Sequence, residues 1–289
     1  MWLKIVLLVV LASLLFTGAC NRIFQEQDLE STVVSEGQNS WKAFSQLEED
    51  LALLEGAGYT SVCLFDLNGI SHHPDRDLYI ELLREYVGRN WDIALYIQNV
   101  DPATALNLVD NIGASSVILY EEEILQAFSG SGIKTWWWSG AAYPVNDLDR
   151  PMYRGWSDLR KEEVRAEIAD WIVGKVPEQI DGGLSLDYIR WNAVGDGREA
   201  YMVTDLVQRV RDQWQGPLSA AVYPYLGKSP RHGGALSVGQ QWNLWLENDL
   251  VDFAYPMAYE SEDLPAFIEE WKLYAKDKIV PCLSVENYH

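Results

Sequence analysis

Gly183-Leu184-Ser185-Leu186-Asp187-Tyr188-Ile189-Arg190-Trp191 reads as an apolar strand that ends in a carboxylate, a guanidinium and two aromatic rings. The interior of a strand in a parallel sheet is covered on both faces, whereas its C-terminal tip can present side chains to a cleft. Charge confined to the tip therefore predicts a site rather than core, with Asp187 at the mouth of a parallel β-barrel.

Working outward, seven further apolar runs share this character: Ser61–Asp66, Asp92–Gln98, Ser115–Tyr120, Ile133–Trp138, Leu218–Tyr225, Leu250–Tyr259 and Lys278–Val285. Helical patterns separate most of them, notably Asp75–Arg89, Asp158–Lys175, Arg198–Trp214, Val238–Asn248 and Leu264–Lys276. Continuous apolar strands alternating with helices predict a parallel sheet buried on both faces. Eight such strands favour a closed (β/α)8 TIM barrel, an α/β fold of about 250 residues that fits this chain without a second domain. The third and fourth runs lie close together, so either could be miscounted. Residues 40–55 carry Trp41, Phe44, Leu47, Leu51 and Leu54 at helical spacing behind a Ser40 cap. The sequence ends at His289, soon after the eighth run. The last helix is thus missing, or replaced by the N-terminal helix at 40–55, which is expected to fill the seam between the last and first strands.

Ahead of the barrel, Met1 to Cys20 reads as an export signal. Lys4 gives a positive start, and Ile5 to Phe16 is apolar throughout. About a dozen residues is too short for a bilayer span of roughly 20, and suits a signal core. Thr17-Gly18-Ala19-Cys20 resembles the lipobox of bacterial lipoproteins, although Thr17 stands where leucine is usual. The resemblance implies lipidation at Cys20 and a domain anchored to the bacterial membrane, outside the cytoplasm. An ordinary secreted protein cut nearby, or an uncleaved anchor, is the alternative. Residues 21–39 are polar and aperiodic, as a flexible tether would be. The two later cysteines, Cys63 and Cys282, fall in expected strands and read as buried thiols rather than a bridge.

A net charge of −21 argues against nucleic acid and against an electrostatic grip on anionic lipid. A neutral or cationic substrate suits that field better. The strand ends hold Asp66, Glu121, Glu122, Trp136-Trp137-Trp138, Asp187, Arg190, Trp191, Tyr223, Tyr225, Tyr259, Glu260 and Glu286. Glycoside hydrolysis needs such a mixture: one carboxyl protonates the leaving oxygen and another attacks or activates water. Aromatic faces stack on sugar rings while polar groups bind hydroxyls.

Asp181-Gly182-Gly183-Leu184-Ser185-Leu186-Asp187-Tyr188-Ile189-Arg190 also resembles the "DGIHFDYIRYP" strand of the bacterial glycosyl hydrolase-like family 10, the DUF187 group. The resemblance extends to Trp156–Arg160 upstream, and to Leu218–Pro224, Gln241–Trp245 and Leu250–Tyr259 downstream, the last resembling "GLVDFVMPMAY". It is specific over residues 155–260. It implies a TIM barrel, bacterial export and action on glycans, peptidoglycan or other cell-envelope polysaccharide among them. Asn192 stands where the family has proline. Against the chitinase-type pattern of Asp, Asp and Glu at alternate positions, the chain offers Ser185, Asp187 and Ile189, so the chitinase acid is absent.

Asp187 is therefore the expected catalytic carboxylate, with Glu260 as its partner and Glu121, Asp66, Glu286, Asp147 or Asp149 as alternatives. A structural role for Asp187, capping or pairing with Arg190, is the competing reading. Arg190, Trp191, Tyr259, Tyr223, Trp138, Glu121 and Asp66 are the candidate substrate-binding residues, each weighed against core packing or a plain ion pair. Arg190 is expected to lower the pKa of Asp187, which would favour a nucleophilic or electrostatic role over that of an acid. Trp136 and Trp138 must face opposite to Trp137, and Tyr255, Met257 and Tyr259 must share a face. Residues 139–157 are a candidate cleft wall or lid, or a surface loop. Four histidines without spaced partners exclude a zinc site, and no cofactor or metal is expected. Nor is there a nucleophile elbow, phosphate loop or dinucleotide motif. The expected partners are a polysaccharide and the membrane, without nucleic acid, for a monomeric protein. The rival to hydrolysis is a non-catalytic glycan-binding lipoprotein on the same barrel.

Overall fold

The computed structural model describes residues 36–65, 67–73, 75–142, 151–191, 200–227, 234–259, 261–274 and 276–284. The chain divides into Met1–Trp41 and Lys42–His289, and all the strands lie in the second unit. In chain order the strands are β1 (Ser61–Phe65), β2 (Asp92–Tyr96), β3 (Ser116–Leu119), β4 (Lys134–Gly140), β5 (Met152–Tyr153), β6 (Trp156–Ser157), β7 (Gly183–Asp187), β8 (Leu218–Val222), β9 (Phe253–Pro256) and β10 (Cys282–Ser284). β5 and β6 form a small antiparallel hairpin. The other eight pair in parallel in the order β10-β1-β2-β3-β4-β7-β8-β9. The ring closes through parallel bridges Ala254 to Ile279 and Met257 to Cys282. At that seam the Val280 amide donates to Ala254 O at 3.0 Å, and the Ala258 amide to Cys282 O at 2.8 Å. The fold is a (β/α)8 barrel, and all eight runs read from the sequence, the closely spaced third and fourth included, are its strands.

Helices α1 (Glu36–Gly56), α2 (Leu67–His72), α3 (Arg76–Gly88), α4 (Pro102–Ile112), α5 (Glu122–Phe128), α6 (Glu162–Gly174), α7 (Ala200–Gln213), α8 (Trp242–Glu247) and α9 (Leu264–Trp271) accompany the strands. α1 begins at Glu36, four residues ahead of the expected Ser40 cap. Its second half is seated between α3, which follows β1, and α9, which follows β9. On one side Phe44 meets Tyr79 edge-on at 5.6 Å, and Glu55 pairs with Arg89 at 2.9 Å. On the other, just past its end, Ala57 O accepts from Lys276 Nζ and Tyr59 meets Trp271 edge-on at 6.1 Å. Leu47, Leu51 and Leu54 are fully buried beneath it. The N-terminal helix thus fills the seam, as the helix-first arrangement requires.

The helical patterns named from the sequence do not include α4 and α5, although Ala105, Leu108, Val109 and Ile112 of α4 repeat at helical spacing. α4 nevertheless carries its own signals: Asp101 accepts the Thr104 amide at 3.0 Å, Pro102 opens the helix, and Gly113 closes it at φ 77°.

Period-two alternation sorts the strand residues into two layers. Val62, Leu64, Ile93, Leu95, Trp137, Leu184, Leu186, Leu218, Ala220 and Ala254 join the main core. Cys63, Ala94, Tyr96, Ile118, Trp136, Tyr255 and Cys282 form a separate inner cluster, with Phe65, Trp138, Phe253 and Tyr259 packed on it. That cluster fills the barrel. The tryptophan run divides as alternation requires, Trp137 outward and Trp136 and Trp138 inward. Cys63 and Cys282 stand in register across β1 and β10, and both are free and buried.

The start of β7 is fixed from both neighbours. Thr135 donates its amide and hydroxyl to Asp181 Oδ1 at 2.8 and 2.9 Å. A Cβ on Gly183 would lie 2.5 Å from Pro217 O and 2.6 Å from the Trp136 ring, so only glycine admits that ring beside the strand. The glycine pair at the head of the strand therefore sets how deeply β7 seats.

Candidate active site at the C-terminal mouth

Asp187 is the last residue of β7 and alternates with the outward-facing Leu186, so it points into the barrel at the C-terminal end. Trp138 Nε1 donates to Asp187 Oδ2 at 3.2 Å. The Tyr188 amide donates to Asp187 Oδ1 at 2.6 Å. Tyr188 adopts φ +48°, a left-handed conformation that costs a tyrosine backbone energy. The turn aims its amide back at the carboxyl that precedes it, while Gly140 stands in register opposite Asp187. Strain held beside a half-buried carboxylate is a feature of functional sites.

Aromatic rings surround this carboxyl. The Trp138 ring lies 6.4 Å from Tyr96, 5.6 Å from Tyr120 and 6.4 Å from Tyr188. Phe65 bridges Tyr96 at 4.7 Å and Tyr259 at 5.5 Å. Part of Asp187 still meets solvent, yet burial among these rings raises its pKa above the ordinary aspartate value. The Tyr188 amide, the Arg190 charge and the Trp138 indole each pull it down, and burial outweighs them. The lowering expected from Arg190 is present but does not decide the sign, because desolvation of a carboxyl enclosed by rings is the larger effect. Tyr259 is likewise pushed well up, first by burial and then by the Cys282 thiol and the Asp187 charge.

The Arg190 guanidinium lies 4.7 Å from the Tyr188 ring centre and 5.3 Å from that of Tyr223. It makes no salt bridge to Asp187. The Tyr223 amide is held by Gln240 Oε1 at 2.8 Å, which fixes the strand exit beneath the arginine. Trp138, Tyr259, Arg190 and Tyr223 are thus brought to one end of the barrel with Asp187. Glu121 stands at the start of α5, where its charge, after burial, helps raise the Tyr120 phenol. Trp191 is placed elsewhere. Its ring is 1% exposed in the main core, 5.8 Å from Tyr153, and its amide donates to Val238 O at 2.8 Å. The chain bends at Tyr188, and the aromatic after Arg190 packs under the rim and does not line the mouth.

Glu260, Asp66, Glu286, Asp147, Asp149 and the lipidation candidate Cys20 lie outside the described residues. So do residues 143–150 of the expected lid. Its remainder includes the β5–β6 hairpin, with Arg160 3.8 Å over the Tyr153 ring. Tyr96, and Tyr188 of the opening stretch, are mouth residues beyond the candidate site residues read from the sequence. The period-two alternation of β2 would have placed Tyr96 inside the barrel with Ala94.

No family model matches the chain. No curated protein matches it either. Among solved structures it is similar to a class V chitinase from Pseudomonas fluorescens Pf-5, at 14% identity and a TM-score of 0.43, over 58% of this chain and 54% of that one. It is similar also to the chitinase domain of the spore coat protein CotE from Clostridium difficile, at 13% identity and a TM-score of 0.43, over 66% of this chain and 64% of that one. A third likeness is to dihydropteroate synthase from Thermus thermophilus, at 12% identity and a TM-score of 0.42, over 84% of each chain. The chain therefore spans between half and two thirds of the two chitinase chains.

Two cavities, of about 720 and 480 Å³, open at the opposite, N-terminal end. They share Ser61, Asp92, Phe253 and Val280, and Asp187 lines neither. Among the described residues, no three His, Cys, Asp or Glu side chains are grouped as metal ligands would be, and no helix is long and apolar enough to cross a membrane.

Proposed function

We propose that this chain is a glycoside hydrolase-like lipoprotein that acts on a cell-envelope or other polysaccharide at the C-terminal mouth, with Asp187 as the proton donor. One observation carries the reading: the Asp187 carboxyl sits inside the barrel rim, surrounded by aromatic rings, with its pKa raised by burial. A general acid must hold its proton near neutral pH, and burial is the usual means. After Asp187 protonates the glycosidic oxygen, the Tyr188 amide and Trp138 indole are in place to receive the carboxylate left behind. The rings of Trp138, Tyr120 and Tyr259 offer faces for sugar stacking. Glu260 is the proposed second carboxyl, as nucleophile or as base toward water, with Asp66, Glu286 and Glu121 as alternatives. The resemblance of residues 155–260 to the glycosyl hydrolase-like family supports the same substrate class. Anchoring through Cys20 would hold the domain at the bacterial envelope.

A non-catalytic glycan-binding protein is the second reading. Among the described residues, the groups that act on Asp187 are an amide, an indole and a guanidinium, the polar and aromatic partners that a binding site also uses. Incubating the full chain with envelope and plant polysaccharides, and measuring new reducing ends, separates the two. Hydrolysis that is lost in Asp187→Asn and in Glu260→Gln supports the enzyme. Undiminished turnover by Asp187→Asn refutes the assignment, and saturable binding without turnover supports the second reading.

A further inference from the structure

Arg190 is treated differently from several other arginines of this chain. Arg89, Arg160, Arg165, Arg209 and Arg211 each pair with a carboxylate, at Glu55, Asp158, Asp205, Glu162 and Asp252 among others. Acidic residues outnumber basic ones by 43 to 22, so a partner is easy to supply. Among the described residues the Arg190 guanidinium makes no ion pair or hydrogen bond, and its Nε is buried without a partner. The residue as a whole is only partly buried, so its exposure falls beyond that atom. What holds the group is aromatic contact with Tyr188 and Tyr223. Stacking fixes the plane of a guanidinium and leaves its hydrogen-bonding edge free. The positive φ at Tyr188 and the Gln240 bond to the Tyr223 amide define the backbone that carries the two rings.

We propose that Arg190 is a specificity residue that receives the carboxylate of an acidic sugar, so that the mouth selects a uronic-acid-containing glycan. The inference rests on the glycan reading of the same site. A planar carboxylate matches the guanidinium fork through two parallel hydrogen bonds. A single negative charge also suits the surroundings better than a dianionic phosphate would. The net charge of −21 opposes an anion at long range, but exposed charges are screened beyond about 8 Å at physiological salt. Contact with the fork then decides. The neighbouring Asp187 does not oppose the ligand while it keeps its proton.

The test uses oligogalacturonate and the same oligomer fully methyl-esterified, which share a backbone and differ in charge. Binding to the full-length protein is measured by calorimetry, alongside Arg190→Gln and Arg190→Lys variants whose melting curves confirm folding. The expected result is about tenfold tighter binding of the free acid than of the ester, equivalent to about 1.4 kcal/mol. Arg190→Gln removes that preference with little change toward the ester. Arg190→Lys restores part of it, because an ammonium lacks the fork. Equal binding of acid and ester by the wild type, or a preference that survives Arg190→Gln, overturns the inference, as does binding of neither. Neutral glycans cleaved in an Asp187-dependent way, without acid preference, would overturn this inference and leave the proposed hydrolysis standing. An Arg190-dependent preference without cleavage of any glycan would do the reverse.

Discussion

Trp138 and Asp187 are joined across adjacent strands by an indole N–H donated to Oδ2 at 3.2 Å. β4 and β7 are in register so that Gly140 opposes Asp187, and the larger side chain two residues back leans over the gap. A Cβ at Gly140 would come within 3.2 Å of the Trp138 ring. The bond stabilises the charged form of Asp187 and therefore opposes the effect of burial.

Trp138→Phe keeps a ring in place and removes that donor. The Asp187 pKa is expected to rise further, because the ionised form loses a hydrogen bond. The alkaline limb of the pH–rate profile, where the acid loses its proton, moves to higher pH. Stability falls by about 1 kcal/mol, the net worth of one hydrogen bond. A profile unmoved by the substitution would show that Asp187 is not the titrating acid.

The raised pKa of Asp187 also fixes a pH dependence of folding. The native state binds the proton more tightly than the unfolded chain does. Between the ordinary value of about 3.9 and the raised folded value, stability therefore falls as pH increases. Asp187→Asn lacks this titration. The melting temperature of the variant relative to wild type should climb through that window and level off above it. A difference independent of pH across that window would show that burial does not govern this carboxyl.

Gly183→Ala should be strongly destabilising for so small a change. The new methyl meets Pro217 O and the Trp136 ring at separations that real structures do not tolerate. Overpacking of this kind costs about 1–3 kcal/mol. Urea unfolding measures it, and near-ultraviolet circular dichroism should report a displaced Trp136.

Leu51→Ala tests the role of the N-terminal helix. Leu51 is fully buried, and its truncation should cost about 2–5 kcal/mol. A cost near zero in chemical denaturation would mean that α1 is not part of the cooperative barrel.

Much of this architecture is legible without coordinates because buried strands and covering helices leave different periodicities. The eight runs, the inward and outward division of Trp136, Trp137 and Trp138, and the shared face of Tyr255 and Tyr259 all follow from alternation. α4 obeys the same rules, since Asp101, Pro102 and Gly113 bracket it and Ala105, Leu108, Val109 and Ile112 share one helical face. Trp191 looks like a mouth residue because it follows Asp187 and Arg190 in sequence. Its burial depends on the left-handed turn at Tyr188, which no alternation rule foretells in a tyrosine.

By itself the sequence determined that eight parallel strands form, that Asp187 ends the fifth of them, and that a helix precedes the first. Those features depend on local periodicity and on where charge interrupts an apolar run. The tertiary structure alone decided that burial outweighs Arg190 in setting the Asp187 pKa, and that Arg190 rests on two tyrosine rings. Desolvation and pairing depend on what residues distant in the chain bring to the same point, and no segment read alone contains its neighbours across the barrel.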